Sequence, residues 1–121
     1  MKKEIKITER GWPGHYICAA ECLFRRNTLV SCEEINIVVS TVGMYVLNDK
    51  VMPIGINRYY ETMVFHSKKE DKKYHDADVS KQIYFDSPWR IVKPYNDLAA
   101  NKMHNTVVSE IKQKIQKEEL C

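Results

Sequence analysis

Between residues 4 and about 93 several segments alternate apolar with polar residues or are rich in β-branched types, and from about 97 to 119 apolar residues recur about every four positions. The first pattern predicts strands and the second a helix. EIKITE (residues 4–9) sets Ile5 and Ile7 against charges. LFRRNTLVS opposes Leu23, Arg25, Asn27 and Leu29 to Phe24, Arg26, Thr28 and Val30. INIVVSTVGMYV (residues 35–46) is the most apolar run, and its β-branched density predicts a central strand. Residues 48–53 read as a loop. RYYETMVFH (residues 58–66) reads as a strand entered from a turn. Residues 67–78 form a polar connection, and 79–85 a strand that pairs antiparallel with 58–66.

The last segment carries Ala99, Met103, Val107, Ile111 and Ile115 at four-residue intervals, with Ala100, His104 and Val108 beside them. Asn96 or Asp97 is a good N-cap for a helix from about Leu98 to Glu119. So long an apolar stripe can pack on the sheet or on a partner helix, and its reach to Ile115 favours a dimer contact. The expected fold is α+β: one domain over residues 1–121, a mostly antiparallel β-sheet over about 4–93, and a long C-terminal helix over about 97–119.

Two local features refine this picture. Gly11, Trp12, Pro13 and Gly14 make a turn, with Trp12 expected to plug the core rather than to offer a stacking surface. Gly43, inside the most apolar run, predicts a bulge or a close approach by another group. Neighbouring Arg25 and Arg26 must point to opposite faces of their strand. An arginine on a covered face needs an anion or carboxylate partner.

A net charge of +3 is too small to argue for a long nucleic acid tract or a membrane surface. Neither a membrane span nor a signal peptide is visible, so a cytosolic location with reduced thiols is expected. His15, Cys18, Cys22 and Cys32 could sketch a zinc site, but they lack paired-knuckle spacing and read better as buried small residues. His66, His75, Asp76 and Asp78 lie in or beside a polar loop, where solvation is the plainer account. No nucleophile–base pair is supported by spacing, and no phosphate loop occurs. Arginines in strands (Arg25, Arg26, Arg58), another beside Trp89 (Arg90) and abundant aromatics suit a phosphate-bearing nucleotide instead. Single-stranded nucleic acid is the second reading. A nucleotide-processing hydrolase using His66, His75 and Asp78 is a third.

The strings GWPGHYI, LFRRNT, VVSTVG, NRYYETM, DADVS and ANKMH together resemble the Thoeris anti-defence 1 family, over about Glu9 to Ile115. In that family a phage protein sequesters a cyclic ADP-ribose signal, such as glycocyclic ADP-ribose, inside the bacterial cytoplasm. The resemblance implies a β-rich core with C-terminal helical structure. It also implies a homodimer or higher homo-oligomer, no cofactor or metal, no catalysis, and a ligand held uncleaved between subunits. Carried over by motif, Arg58 and either Arg25 or Arg26 would take phosphate, and Phe85 would stack on the base. Met103 and His104 would close the pocket from the helix. The chain departs from the family where a phosphate-binding arginine is expected near the helix; His104 is the nearest candidate.

Overall fold

The apolar strand over Ile35–Leu47 lies in the middle of the sheet, with five further strands ordered around it. The computed structural model describes residues 4–10, 21–33, 35–55, 58–68, 77–86 and 93–117. In chain order the elements are β1 (Lys6–Glu9), β2 (Cys22–Cys32), β3 (Ile35–Leu47), β4 (Lys50–Met52), β5 (Tyr60–Ser67), β6 (Ala77–Ile83) and α1 (Asp97–Gln116). Every pairing is antiparallel, in the order β1-β2-β3-β5-β6, with β4 folded back on the end of β3. The fold is thus α+β, a six-stranded antiparallel sheet followed by one long helix.

Residues 48–53 are not a plain loop. Asn48 and Asp49 both take left-handed backbone (φ 52 and 63) and close a tight hairpin in which Leu47 pairs with Lys50. Two consecutive positive φ values give the primed turn whose twist matches that of the strands, and Asn and Asp tolerate it better than most residues. With no glycine present, the turn is easily read as a loop.

The helix lies across one face of the sheet. Ala100, Met103, His104, Val107, Ile111 and Ile115 are its buried positions. Met103, Val107, Ile111 and Ile115 pack with Val30, Cys32, Ile37, Val39, Val64 and Ile83 of the strands. Val107, Ile111 and Ile115 are fully buried within the single chain. The stripe expected to face a partner helix is therefore covered by the chain's own sheet, and any homo-oligomer must meet through another surface. A stripe facing a sheet and one facing a partner have the same period, so the pattern alone could not separate them.

Asn96 caps the helix: its side chain accepts from the Ala99 N–H at 3.2 Å. Asp97 in the first turn and Lys114 in the last complement the helix dipole. Replacing Asn96 by Ala should lower stability by about 1 kcal/mol, read from the urea unfolding midpoint. An unchanged midpoint would show that the Tyr60 hydroxyl, which accepts from the Asn96 N–H, fixes the helix start without the cap.

Candidate functional site

The two faces of the sheet carry different chemistry. On the helix-covered face, Glu9 pairs with Thr28 across β1 and β2, and Thr41 with Thr62 across β3 and β5. His104 lies above both pairs, fully buried. One ring nitrogen, Nε2, is 2.7 Å from Thr28 Oγ1, and the other, Nδ1, is 2.7 Å from Thr41 Oγ1. Thr28 also donates to Glu9 Oε2 at 2.7 Å, and the hydroxyls of Thr41 and Thr62 are 2.7 Å apart. Burial, reinforced by the nearby positive charge of Arg26, holds the His104 pKa down to about 4, although Glu9 pulls the other way. The ring is neutral at pH 7.

Arg26 lies on the same face. Its guanidinium takes Glu9 in a two-point ion pair (Nε–Oε1 3.1 Å, Nη2–Oε2 2.8 Å), and Nη1 donates to Asn105 Oδ1 at 2.8 Å and Asn101 Oδ1 at 3.3 Å. The expected carboxylate partner for a covered arginine is present, and this side chain is committed to joining β1, β2 and α1. Glu9 titrates below the usual carboxylate range. Its partial burial alone would raise the pKa, but hydrogen bonds from Arg26 and Thr28 and the arginine's charge outweigh that.

On the opposite face, β-sheet register places Arg25 beside Val42, and Val42 beside Glu61. Two strand spacings put the Arg25 and Glu61 backbones roughly 10 Å apart. Arg25 is exposed. Arg58, just before β5, bonds Glu61 through Nη1 at 3.2 Å. One row along the sheet, Asn27 neighbours Ser40, and its Oδ1 accepts from Arg10 Nε at 2.8 Å. This face thus carries Arg10, Arg25 and Arg58 with Glu61, Asn27 and Ser40 among them. Arg10 and Glu61 were not singled out from the sequence. A signal was present in the strand pattern, since Glu61 falls on the same face as Arg25 once the register is known.

The six residues suggested by the sequence therefore divide. Arg25 and Arg58 lie on the opposite face, around positions such as Ser40 and Val42 that are fully buried. Arg26, Met103 and His104 lie on the helix face, where Met103 is 8% exposed and His104 not at all. Phe85 is half-buried against the helix-side core. His104 thus offers no surface to a ligand in this chain, and Met103 very little. Their motif brings them to the interior because positions 103 and 104 are the stretch of α1 that faces the sheet. Exposed Tyr84 stands beside Phe85.

The zinc sketch does not close among the described residues. Cys22 and Cys32 are buried at opposite ends of β2, about 30 Å apart at the usual strand rise, so they cannot share an ion. Among the described residues no group of His, Cys, Asp and Glu could hold a metal ion. His66 is half-buried in β5, and Asp78 in β6 accepts from Ser80 N–H (3.1 Å) and Oγ–H (2.6 Å). His15, Cys18, His75, Asp76, Trp12, Trp89 and Arg90 lie outside the described residues. Among the described residues no helix is long and apolar enough to cross a membrane. Comparison of the chain with protein-family models, with curated proteins and with solved structures finds no match.

Proposed function

We propose that this chain sequesters a cyclic ADP-ribose type nucleotide, such as glycocyclic ADP-ribose, and holds it intact as a phage counter-defence protein. The observation that carries the reading is the placement of two arginines from separate motifs. Arg25 of LFRRNT and Arg58 of NRYYETM stand on one face of the sheet, bracketing Val42 and Glu61. A pyrophosphate presents two anionic groups a few ångströms apart, and two arginines on one face suit it, with the Arg58 guanidinium exchanging its Glu61 contact for phosphate. Each charge-assisted bond contributes about 1.5–3 kcal/mol. A few of them with one aromatic stack reach the roughly −12 kcal/mol of nanomolar binding if ordering costs are small. Sequestration needs no acid–base group, and His104, with both ring nitrogens engaged by threonines, is not available as one. The site forms between subunits of a homo-oligomer, with Arg25 rather than Arg26 on phosphate.

Calorimetric titration with purified cyclic ADP-ribose isomers tests this, followed by heat denaturation and analysis of the released ligand. Tight binding with unaltered ligand is expected, and Arg58→Ala should abolish it while the protein stays folded. Altered ligand would make the protein an enzyme. Absence of binding by every isomer would overturn the proposal and turn attention to single-stranded oligonucleotides.

A further inference from the structure

The hydrogen-bond chain through His104 has only one consistent direction. Glu9 is a carboxylate and can only accept, so the single hydroxyl proton of Thr28 goes to Glu9 Oε2. Thr28 must then accept from His104, which places the imidazole proton on Nε2. In a neutral ring the other nitrogen, Nδ1, is an acceptor, so Thr41 donates to it. With its own proton committed, Thr41 accepts from Thr62. The protons therefore run Thr62 to Thr41 to His104 to Thr28 to Glu9, from the middle of the sheet out to its edge strand.

We infer that this chain is an acid-sensitive latch that fastens β1 and α1 to the sheet while the His104 ring is neutral and loosens when the ring gains a second proton. A protonated ring donates from both nitrogens. Thr41 would have to turn its proton toward Thr62, and Thr62, whose hydroxyl has Thr41 as its partner, would lose its acceptor. The new charge would also find no adequate counterion. From β2 it meets the Arg26 guanidinium, which repels it. From β1 it meets Glu9 only through Thr28, and that carboxylate is already paired with Arg26. From β3 and β5 it meets Thr41 and Thr62, which are uncharged. On α1 itself, Asn101 and Asn105 are neutral and turned to Arg26. The ring is buried among these groups with no water-facing surface.

His104 is thus a positioning residue, and its action is separable from ordinary packing by two measurements. The first is long-range proton–nitrogen NMR of the imidazole in the wild-type protein. A protonated Nε2 and bare Nδ1 at pH 7, persisting at pH 5, are expected. The opposite tautomer, or a ring already charged at pH 5, would overturn the latch. The second is urea unfolding between pH 7 and 4.5 for the wild type and for His104→Gln, whose amide can donate and accept without titrating. Because the ring's pKa is depressed on folding, the unfolded chain binds the extra proton below about pH 6.5 and the folded chain resists it down to about 4. Wild-type stability should therefore fall as pH is lowered, with the folding equilibrium constant dropping toward tenfold per unit in this window. His104→Gln should lack that component. Equal pH dependence in the two proteins would overturn the inference. If the variant fails to fold, the tautomer and titration of the wild-type ring decide alone.

Discussion

Arg25→Ala is expected to weaken affinity for the cyclic nucleotide by roughly 10- to 100-fold, the equivalent of one lost charge-assisted phosphate contact. Arg25 is exposed, and its removal should cost less stability than that of Arg26. Arg26→Ala should do the reverse. It removes the two-point ion pair with Glu9 and the bonds to Asn101 and Asn105, and a loss of about 2 kcal/mol is expected. Without the guanidinium, Glu9 also regains a more ordinary pKa. The stability that its depressed pKa contributes above about pH 4.5, and which is lost as pH falls, should shrink in the variant. Calorimetry and urea unfolding on both variants give a two-by-two result. If Arg26→Ala abolishes binding in a folded protein and Arg25→Ala does not, the ligand lies on the helix side and the assignment of faces is wrong.

The sequence announced that these neighbouring arginines differ, since strand geometry forces them apart. It could not say which was covered. That depends on where a helix from residue 97 onward docks, a contact made across more than seventy residues of chain. The strands other than β4, and the helix cap, were legible for the opposite reason: period and capping chemistry are local. Met103 and His104 mark the boundary between the two kinds of information. The helical stripe identified them as inward-facing, yet the same positions read as pocket-lining when taken as part of the ANKMH motif. Burial under the sheet resolves the conflict in favour of the stripe. The threonines could have been suspected earlier, because Thr28, Thr41 and Thr62 stand beside apolar positions such as Val30, Val39 and Val64 on their strand faces, and buried hydroxyls require partners. Which partner they find is a matter of register, and register was not readable without the Glu9–Thr28 and Thr41–Thr62 pairings.

Gly43→Ala is expected to be among the most damaging single-methyl additions in this fold, with a loss of about 3 kcal/mol or more. Gly43 pairs with Tyr60 across β3 and β5, and the tyrosine ring lies over it. A Cβ at position 43 would stand 2.4 Å from Tyr60 Cδ1 and 2.6 Å from the Tyr59 carbonyl oxygen. The ring could swing away from the first contact, but the second is backbone, and that carbonyl accepts the Met44 N–H at 3.0 Å. Moving the ring has its own cost. Tyr60 meets Phe24 edge-on with centroids 5.4 Å apart, donates its hydroxyl to Asp97 Oδ1 at 2.7 Å and accepts from the Asn96 N–H at 3.1 Å. Burial and the bond to Asp97 raise the phenol's pKa above its ordinary value, so it remains a neutral donor across the working pH range. The added methyl therefore acts at a distance: it dislodges the ring that seats the first turn of α1, and with it the helix that carries His104. Gly55→Ala is the matched control, since its Cβ would meet Arg58 at 3.6 Å, an ordinary contact, and a shift below 1 kcal/mol is expected. Tyr60→Phe should fall between the two, losing about 1 kcal/mol with its hydroxyl bonds. Urea unfolding of the three variants ranks them. Gly43→Ala no worse than Gly55→Ala would mean that β3 and β5 shift apart freely at this point, and that the start of the helix does not depend on the ring.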